Sequence, residues 1–250
     1  MQPARLNACS AFEKPHIWWI GSGIAGSFPF YAASSLNVPS ETVLSRLISS
    51  YTPTIKALAY PRVSLSAQKS FTTNYLSVLV VTMPSTPGQG ELKGVSREKN
   101  AIGEAFKVVC SFKELRLPSA ERVLAEIPRA NITHFACHRL SDLSNPSSSH
   151  LLLQKNTPSG HVVDRLTVSQ ISAVTANGQA WIAFLSACST AKVKGSKFAD
   201  GSLHLASSFQ VAGFTHVIAS MWSTGDDVCV RVADLFHGEL TRNGMRDVRN

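Results

Sequence analysis

Long hydrophobic runs are missing from this chain of 250 residues. No apolar stretch approaches the roughly 20 residues that a membrane-spanning helix needs, so we expect no association with a membrane. The first residues, MQPARLNACSAFEKPH, also contain no apolar segment of the kind that secretory signal peptides carry. The sequence therefore predicts an intracellular, cytoplasmic protein.

Cysteine is sparse as well. The five cysteines stand at irregular positions, 9, 110, 137, 188 and 229. Disulfide frameworks are typically built from an even number of cysteines at regular spacing, and this chain has neither feature. The odd number leaves at least one thiol outside any disulfide, which is the usual state in a reducing compartment.

Concentrated basic segments are absent, although the net charge is +8. Lys and Arg are scattered, and their densest groups, at 192–197 and 242–249, contain no aromatic residues. Helix-turn-helix, zinc-finger and RNA-recognition patterns are not found either. We interpret the charge as a solvated surface, so nucleic acid is not expected as a partner.

One glycine-rich segment imitates a dinucleotide-binding loop. Gly21, Gly23 and Gly26 spell G-x-G-x-x-G after the apolar segment 16–20. In dinucleotide-binding proteins this motif opens a helix, but Pro29 would interrupt the first turns of such a helix. The sequence therefore does not predict a bound nucleotide.

Neither a metal site nor a serine nucleophile is supported. His134 and His138 share one predicted strand, but Cys137 alternates to its other face and no fourth zinc ligand has a usable spacing. The motif G-x-S-x-G is absent around Ser186 and Ser189. We expect His134, which lies deeper in the strand, to be a structural core histidine. No cofactor is predicted.

The order of the predicted elements indicates an α/β fold. Predicted strands near residues 16, 75, 131, 180 and 215 alternate with helical segments. This alternation is typical of an α/β sandwich with a mostly parallel central sheet. We expect residues 1–15 to be a loose leader and residues 16–250 to form a single domain.

Several shorter segments have predictions of their own. Ser119 is expected to cap a helix over 119–127, which has apolar residues at helical spacing. A second helix is predicted over 166–176, closed by Asn177-Gly178. The apolar segment 150–154 is expected to return to the central sheet.

Two apolar strands end in residues that can perform nucleophilic catalysis. The segment WIAFLSACST carries Cys188 past its end, and the segment NITHFAC is followed directly by His138, 50 residues before that cysteine. In a parallel sheet both residues would lie at the carboxyl edge, where ligands bind. Thiolate is the reactive nucleophile, and a nearby imidazole lowers the pKa of a thiol and can protonate the leaving group. The spacing matches that of caspase-like cysteine peptidases.

The chain resembles the CHAT domain, a peptidase-like domain of the clan that contains caspases and separases. The resemblance extends through most of the chain and is carried by these blocks: HIWWI, SSYTPTIKAL, VVTMPSTPGQGELKGV, HFACH, FLSACSTA and FADGSLHLASSFQVAGFTHVIASMW. It implies a caspase-like α/β/α sandwich and an intracellular cysteine endopeptidase that acts on a protein or peptide substrate.

The same resemblance implies roles for particular residues. Cys188 would be the nucleophile and His138 its catalytic partner. The backbone N–H groups of Cys188 and Arg139 would bind the oxyanion. Asp200 and Asp226 fall where family members often carry acidic residues near the cleft, which makes them candidates for the substrate pocket.

Four departures from the family pattern limit the resemblance and keep a second hypothesis open. The N-terminal loop has GSGIAG where the family normally has a proline-containing turn. Arg139 stands where family members usually have glycine, which can adopt a positive φ that arginine takes only at a cost. The chain ends at Asn250, where the family would continue with a helix and a strand, so a C-terminally truncated fold is expected. The tetratricopeptide repeats that commonly accompany CHAT domains are absent and could be a partner region. The alternative function is a weak or inactive interaction module of a larger assembly.

Arg139 itself permits two interpretations. If the oxyanion hole needs a glycine-only backbone conformation at this position, arginine misplaces one donor and impairs catalysis. If the backbone is ordinary, the guanidinium can reach over the cleft and favour an acidic substrate or partner.

Overall fold

The computed structural model describes residues 14–21, 28–35, 38, 40–52, 54–56, 58–59, 76–107, 110–140, 148–174, 180–186, 200–221 and 224–242. Side chains are described for all of these except residues 200–204. Within this part of the chain, no helix has the length and apolar character needed to cross a membrane.

Strands and helices alternate along most of the chain. The strands are β1 His16–Trp19, β2 Ile48–Tyr51, β3 Leu76–Thr82, β4 Cys110–Arg116, β5 Ile132–Ala136, β6 His138–Leu140, β7 His150–Thr157, β8 Gly160–Thr167, β9 Ile182–Leu185 and β10 His216–Ala219. The helices are α1 Val43–Arg46, α2 Val95–Phe106, α3 Ala120–Glu126, α4 Val168–Ala173, α5 Asp200–Val211 and α6 Asp226–Arg242. Short 3-10 turns lie at Phe30–Ala32 and Ile127–Arg129.

The centre of the fold is a five-stranded sheet in the order β10-β9-β5-β3-β4. Every neighbouring pair in it is parallel. The carboxyl ends of all five strands therefore lie along one edge. This confirms the predicted α/β fold with a mostly parallel central sheet.

Helices cover both faces of this sheet. One apolar cluster joins the sheet to α3, α4 and α5 and includes Val81, Phe135 and Phe209. The other joins it to α2 and α6 and includes Val80, Ile102 and Phe184. Because β3 is covered on both faces, its sequence LSVLVVT is apolar almost throughout rather than alternating.

Two predicted members of the central sheet belong to other sheets. β1 pairs with β2 in a separate two-stranded parallel sheet. The segment 150–154 lies in β7, which pairs with β6 and β8 in an antiparallel sheet of three strands. The prediction that both segments belong to the central sheet was wrong, because an apolar run indicates that a strand is buried but does not indicate which strand it pairs with.

The helix predicted over 166–176 is shorter than expected. It covers Val168–Ala173. Leu166 and Thr167, which were predicted to begin the helix, belong to β8 instead. β7 and β8 form a hairpin around Pro158 and Ser159, with Gly160 at a φ of 116°. Thr167 ends the hairpin and caps the helix, because its side chain accepts from the Gln170 N–H.

The helix predicted over 119–127 is confirmed. α3 begins after Ser119, whose side chain accepts a hydrogen bond from the Arg122 N–H. Such a cap satisfies one of the backbone donors that an isolated helix start leaves unpaired.

Candidate functional site

The sheet order itself marks a place for a site. β3 has β4 on one side and β5 on the other. The connections that follow β3 and β5 therefore run toward opposite edges of the sheet. A crevice at the carboxyl ends of the strands is expected at such a reversal. The loop 84–94 follows β3, and His138 follows β5 after a single intervening residue.

His138 is buried at this point, with an exposure of 1%. Its Nε2 atom lies 2.7 Å from the carbonyl oxygen of Gly90. A carbonyl oxygen can only accept, so Nε2 carries a hydrogen in this contact. Nδ1 is buried and has no hydrogen-bond partner among the residues that the structure describes.

The loop 84–94 holds the Gly90 carbonyl in place. Leu92 donates its N–H to the carbonyl of Pro84 at 2.9 Å, which closes the loop on itself. Gly88 adopts a φ of 75°, a conformation that favours glycine. At its start, the Met83 N–H donates to the carbonyl of Ala136 at 2.9 Å, which joins the loop to the end of β5.

Cys188 lies outside the described residues, but the strand before it is described. β5 and β9 pair from Ile132 opposite Ile182 to Phe135 opposite Leu185, with a constant offset of 50 residues. His138 and Cys188 have the same offset and stand three residues beyond the last pair. Asp200 begins α5, and its side chain also lies outside the described part of the structure.

Arg139 follows His138 and is almost fully buried, with 2% exposure. Its Nη2 lies 2.9 Å from the carbonyl oxygen of Ser220, just after β10. Arg139 thus links β6 to the carboxyl end of β10.

The backbone of Arg139 is part of strand β6, opposite Leu151. Among the described residues other than glycine, a positive φ is recorded for Leu117 and not for Arg139. The concern that arginine replaces glycine in a left-handed conformation is therefore wrong for this backbone. The interpretation that Arg139 misplaces an oxyanion donor therefore has no support from the backbone conformation.

Asp226 stands in the first turn of α6, and its carboxylate accepts a hydrogen bond from the Gly94 N–H. Gly94 precedes α2 directly, so Asp226 joins the start of one helix to the start of the other. A negative charge near a helix N-terminus is favourable. This interaction gives Asp226 a structural role between the starts of the two helices.

Gly94 has no room for a side chain. A Cβ atom there would lie 2.6 Å from Oδ1 of Asp226 and 2.8 Å from Cγ2 of Val230. We expect Gly94→Ala to lower the free energy of unfolding by about 1–3 kcal/mol, as overpacking does. Urea denaturation followed by circular dichroism measures this effect. Gly90→Ala is the matched control in the same loop, because its Cβ would meet nothing within 4 Å; equal losses in both variants would contradict the argument.

His134 is a buried core histidine, as predicted, and it lies on β5 rather than on the strand of His138. The prediction that these two histidines share a strand was wrong, because β5 ends at Ala136. The Nε2 of His134 lies 2.7 Å from Oε1 of Glu98, and its Nδ1 lies 3.1 Å from Nε2 of His237. This Glu98–His134–His237 cluster connects α2, β5 and α6.

Burial, followed by the nearby His134, holds the pKa of His237 well below 6.5. His237 is therefore neutral in the folded protein at neutral pH. Sequence reasoning missed Glu98 and His237, and the available signal was their position on the apolar faces of two helices. It also missed Gly90, which acts through its backbone and leaves no signal in a side chain.

Cys110 and Cys137 do not have the lowered thiol pKa of a reactive cysteine. Burial raises the pKa of Cys110 to about 11. Burial also raises the pKa of Cys137, which is completely buried. Both thiols are therefore protonated near neutral pH, and thiols in that state react slowly.

The family model of the CHAT domain matches residues 1–248 of the chain. None of the curated proteins compared with the chain matches it.

Proposed function

Since the chain belongs to the CHAT domain family, which is caspase-like, we propose that it is a cysteine endopeptidase with Cys188 as nucleophile and His138 as general base and acid. The observation that carries the proposal is the pair of environments around the His138 ring. Its Nε2 lies 2.7 Å from the Gly90 carbonyl oxygen, and its Nδ1 is buried with no hydrogen-bond partner among the described residues.

The strand register supports the pairing of the two residues. β5 and β9 are neighbours, and the offset of 50 that relates their paired residues also relates His138 to Cys188. Each of the two residues stands three positions beyond the last paired residue of its strand, and neighbouring strands of a sheet lie about 5 Å apart. This register supports the proposed pairing of His138 and Cys188 at the carboxyl edge of the sheet.

The proposed reaction is acyl transfer to the thiol followed by hydrolysis. Nδ1 of His138 takes the thiol proton, and the thiolate forms a bond to the scissile carbonyl carbon. The resulting imidazolium returns this proton to the amine as the C–N bond breaks, which leaves a thioester. Water, deprotonated by His138, then cleaves the thioester and restores the thiol.

Gly90 has a definite part in this scheme. Its carbonyl accepts from the Nε2–H at 2.7 Å, which selects the tautomer with Nδ1 unprotonated. The same carbonyl stabilises the imidazolium that forms during the reaction, because a hydrogen bond from a charged donor is stronger than one from a neutral donor.

Arg139 supports the same site in two ways. The proposed oxyanion donors are the backbone N–H groups of Arg139 and Cys188, and the extended backbone of Arg139 does not oppose this role. Its guanidinium donates to the Ser220 carbonyl, which joins the two segments on either side of β9. This contact favours a rigid cleft wall.

Alkylation of the cysteines tests the dyad directly. We expect iodoacetamide at pH 7 to modify Cys188 faster than Cys110 or Cys137, because a neighbouring imidazole favours the thiolate. His138→Ala should slow modification of Cys188 by about tenfold or more. Mass spectrometry of proteolytic fragments gives the rate at each cysteine.

His161→Ala is the matched control, because His161 is exposed and its ring contacts Asn156 in the β7–β8 hairpin. It should leave the Cys188 rate unchanged. Equal rates at Cys188 and Cys110 in the folded protein would contradict the peptidase proposal and favour a non-catalytic interaction module.

A further inference from the structure

A groove with a volume of about 530 Å³ follows β10, the strand at one end of the central sheet. One wall is β10 with its flanking residues, 215–221, and the other wall is residues 49–51 of β2. Helices α5 and α6 also line the groove, through Ala206 and Gln210 and through Phe236 and Leu240. Four elements therefore enclose one channel that has a strand on each side.

The backbone of β10 presents hydrogen-bonding groups to this groove. The N–H of His216 donates to the carbonyl of Trp181 at 2.8 Å, toward β9. In an extended strand, successive residues direct their backbone N–H and C=O groups to opposite sides. The backbone groups of Val217 and Ala219 therefore point away from β9, and both residues line the groove.

The backbone of β2 does the same from the other wall. The N–H of Thr52 donates to the carbonyl of Trp19 at 3.0 Å, toward β1. By the same alternation, the backbone groups of Ser49 and Tyr51 point away from β1, and both residues line the groove. The Oγ of Ser49 is buried and has no hydrogen-bond partner within the described part of the chain. Two walls of the groove thus offer backbone donors and acceptors, which are groups that need partners when buried.

The two helices that line the groove belong to opposite faces of the sheet. α5 packs on one face through Phe209, and α6 packs on the other through Phe236. A strand in the groove would have a strand on each edge and a helix on each face, which is the environment of β9. All four residues of β9 are buried, whereas those of β10 are half-buried. Strands covered on both faces are apolar almost throughout.

The charges of the two edge strands differ. β4, at the far end of the sheet, carries Lys113, Glu114 and Arg116. Charged side chains on an edge strand discourage the addition of another strand. β10, with the sequence HVIA, has no lysine, arginine or carboxylate, and neither has the rest of the groove lining. The edge at β10 is therefore open to a strand that is itself uncharged.

We propose that this groove binds an extended, uncharged and apolar segment of a partner protein as an added strand between β10 and β2. Main-chain hydrogen bonds to both walls give the affinity, and the helices on both faces select apolar side chains. A second copy of this chain cannot pair its β10 here edge to edge, because β2 forms the wall where the second sheet would have to lie. Binding at this groove does not require a peptidase, so it is tested independently of the proposed function.

Hydrogen exchange of the backbone amides, followed by NMR, tests the groove. The probe is a peptide of six valine, threonine and alanine residues with two lysines at each end for solubility. It is added to the Cys188→Ala variant, which excludes cleavage by the proposed nucleophile. At a peptide concentration of ten times Kd, the amides of Val217, Ala219, Ser49 and Tyr51 should exchange about tenfold more slowly, because only about one tenth of the protein is free.

The outer amides of β4 are the matched control. The N–H of Leu117 donates to the carbonyl of Thr82, so by alternation the N–H groups of Phe112 and Glu114 point away from the sheet. Their exchange should not change. Equal protection on β4, or no protection of Val217 and Ala219 near the solubility limit of the peptide, would overturn the proposal.

A methylated peptide distinguishes a channel with two walls from a single open edge. Methylating every second backbone nitrogen removes the donors from one edge of the peptide and leaves the other edge intact. Between two walls the damaged edge always meets one of them, so the affinity measured by calorimetry should fall by about tenfold or more. Unchanged affinity would show pairing with one edge only and would overturn the binding mode that we propose.

A pair of proline variants locates the site. Ala219→Pro removes an outward N–H from the last residue of β10 and should weaken binding of the peptide by about tenfold. Arg116→Pro removes the outward N–H from the last residue of β4 and should leave Kd unchanged. Circular dichroism verifies that both variants are folded. Equal Kd values for the two folded variants would overturn the assignment of the groove, and the methylated peptide tests the unsubstituted groove if Ala219→Pro does not fold.

Discussion

Replacing His138 with alanine is expected to lower the kcat of peptide hydrolysis by about 10²–10⁴-fold, the usual contribution of a positioned general acid and base. The variant loses the buried Nδ1 acceptor that would take the thiol proton. It also loses the donor to the Gly90 carbonyl, so the loop 84–94 loses one of its anchors. The measurement is the initial rate of cleavage of a fluorogenic peptide chosen from a library.

Two comparisons make this result specific. Cys188→Ala should abolish cleavage, because the proposed thioester forms on the Cys188 thiol. His161→Ala should leave kcat unchanged, since its ring is exposed and contacts Asn156. Far-ultraviolet circular dichroism of each variant verifies that the fold is intact. A folded His138→Ala protein with unchanged kcat would show that this histidine is not the acid or base.

Removing the carboxylate of Glu98 is expected to lower the stability of the protein, because this carboxylate is buried against His134. Glu98→Ala leaves the buried Nε2–H of His134 without its acceptor at 2.7 Å. A buried donor that is left without its acceptor typically costs about 1–3 kcal/mol, and more where a charged group takes part. The cost appears as a lower free energy of unfolding in urea. Glu104→Ala on the same helix is the matched control, because its ion pair with Lys107 is exposed and is worth about 0–1 kcal/mol.

The same cluster makes stability depend on pH. The pKa of His237 is lowered in the folded protein from its ordinary value of 6.5, so the unfolded chain binds the proton more readily. The contribution of His237 is therefore complete above pH 6.5 and decreases as the pH falls below it, by at most about 1.4 kcal/mol per pH unit. His237→Gln, which retains a donor, should show a smaller loss of stability between pH 7 and pH 5. An identical loss in both proteins would contradict this assignment.

Sequence patterns determined the central part of the fold. The segments of β3, β5, β9 and β10 are apolar runs bounded by helical segments, and a parallel sheet follows because such runs must be covered on both faces. The candidate residues at strand ends could be found for the same reason. Cys188 and His138 each follow a buried strand, and the carboxyl ends of parallel strands share one edge.

The tertiary structure decided which strands pair and what surrounds each side chain. β1 and β7 have the apolar character of central strands, yet each belongs to another sheet, because apolar character measures burial and not the choice of neighbour. The Gly90 carbonyl, the Glu98–His134–His237 cluster and the contact of Arg139 with Ser220 join residues that are 36 to 103 positions apart. Local propensity does not encode such distances, and only the packed fold brings these groups within hydrogen-bond reach.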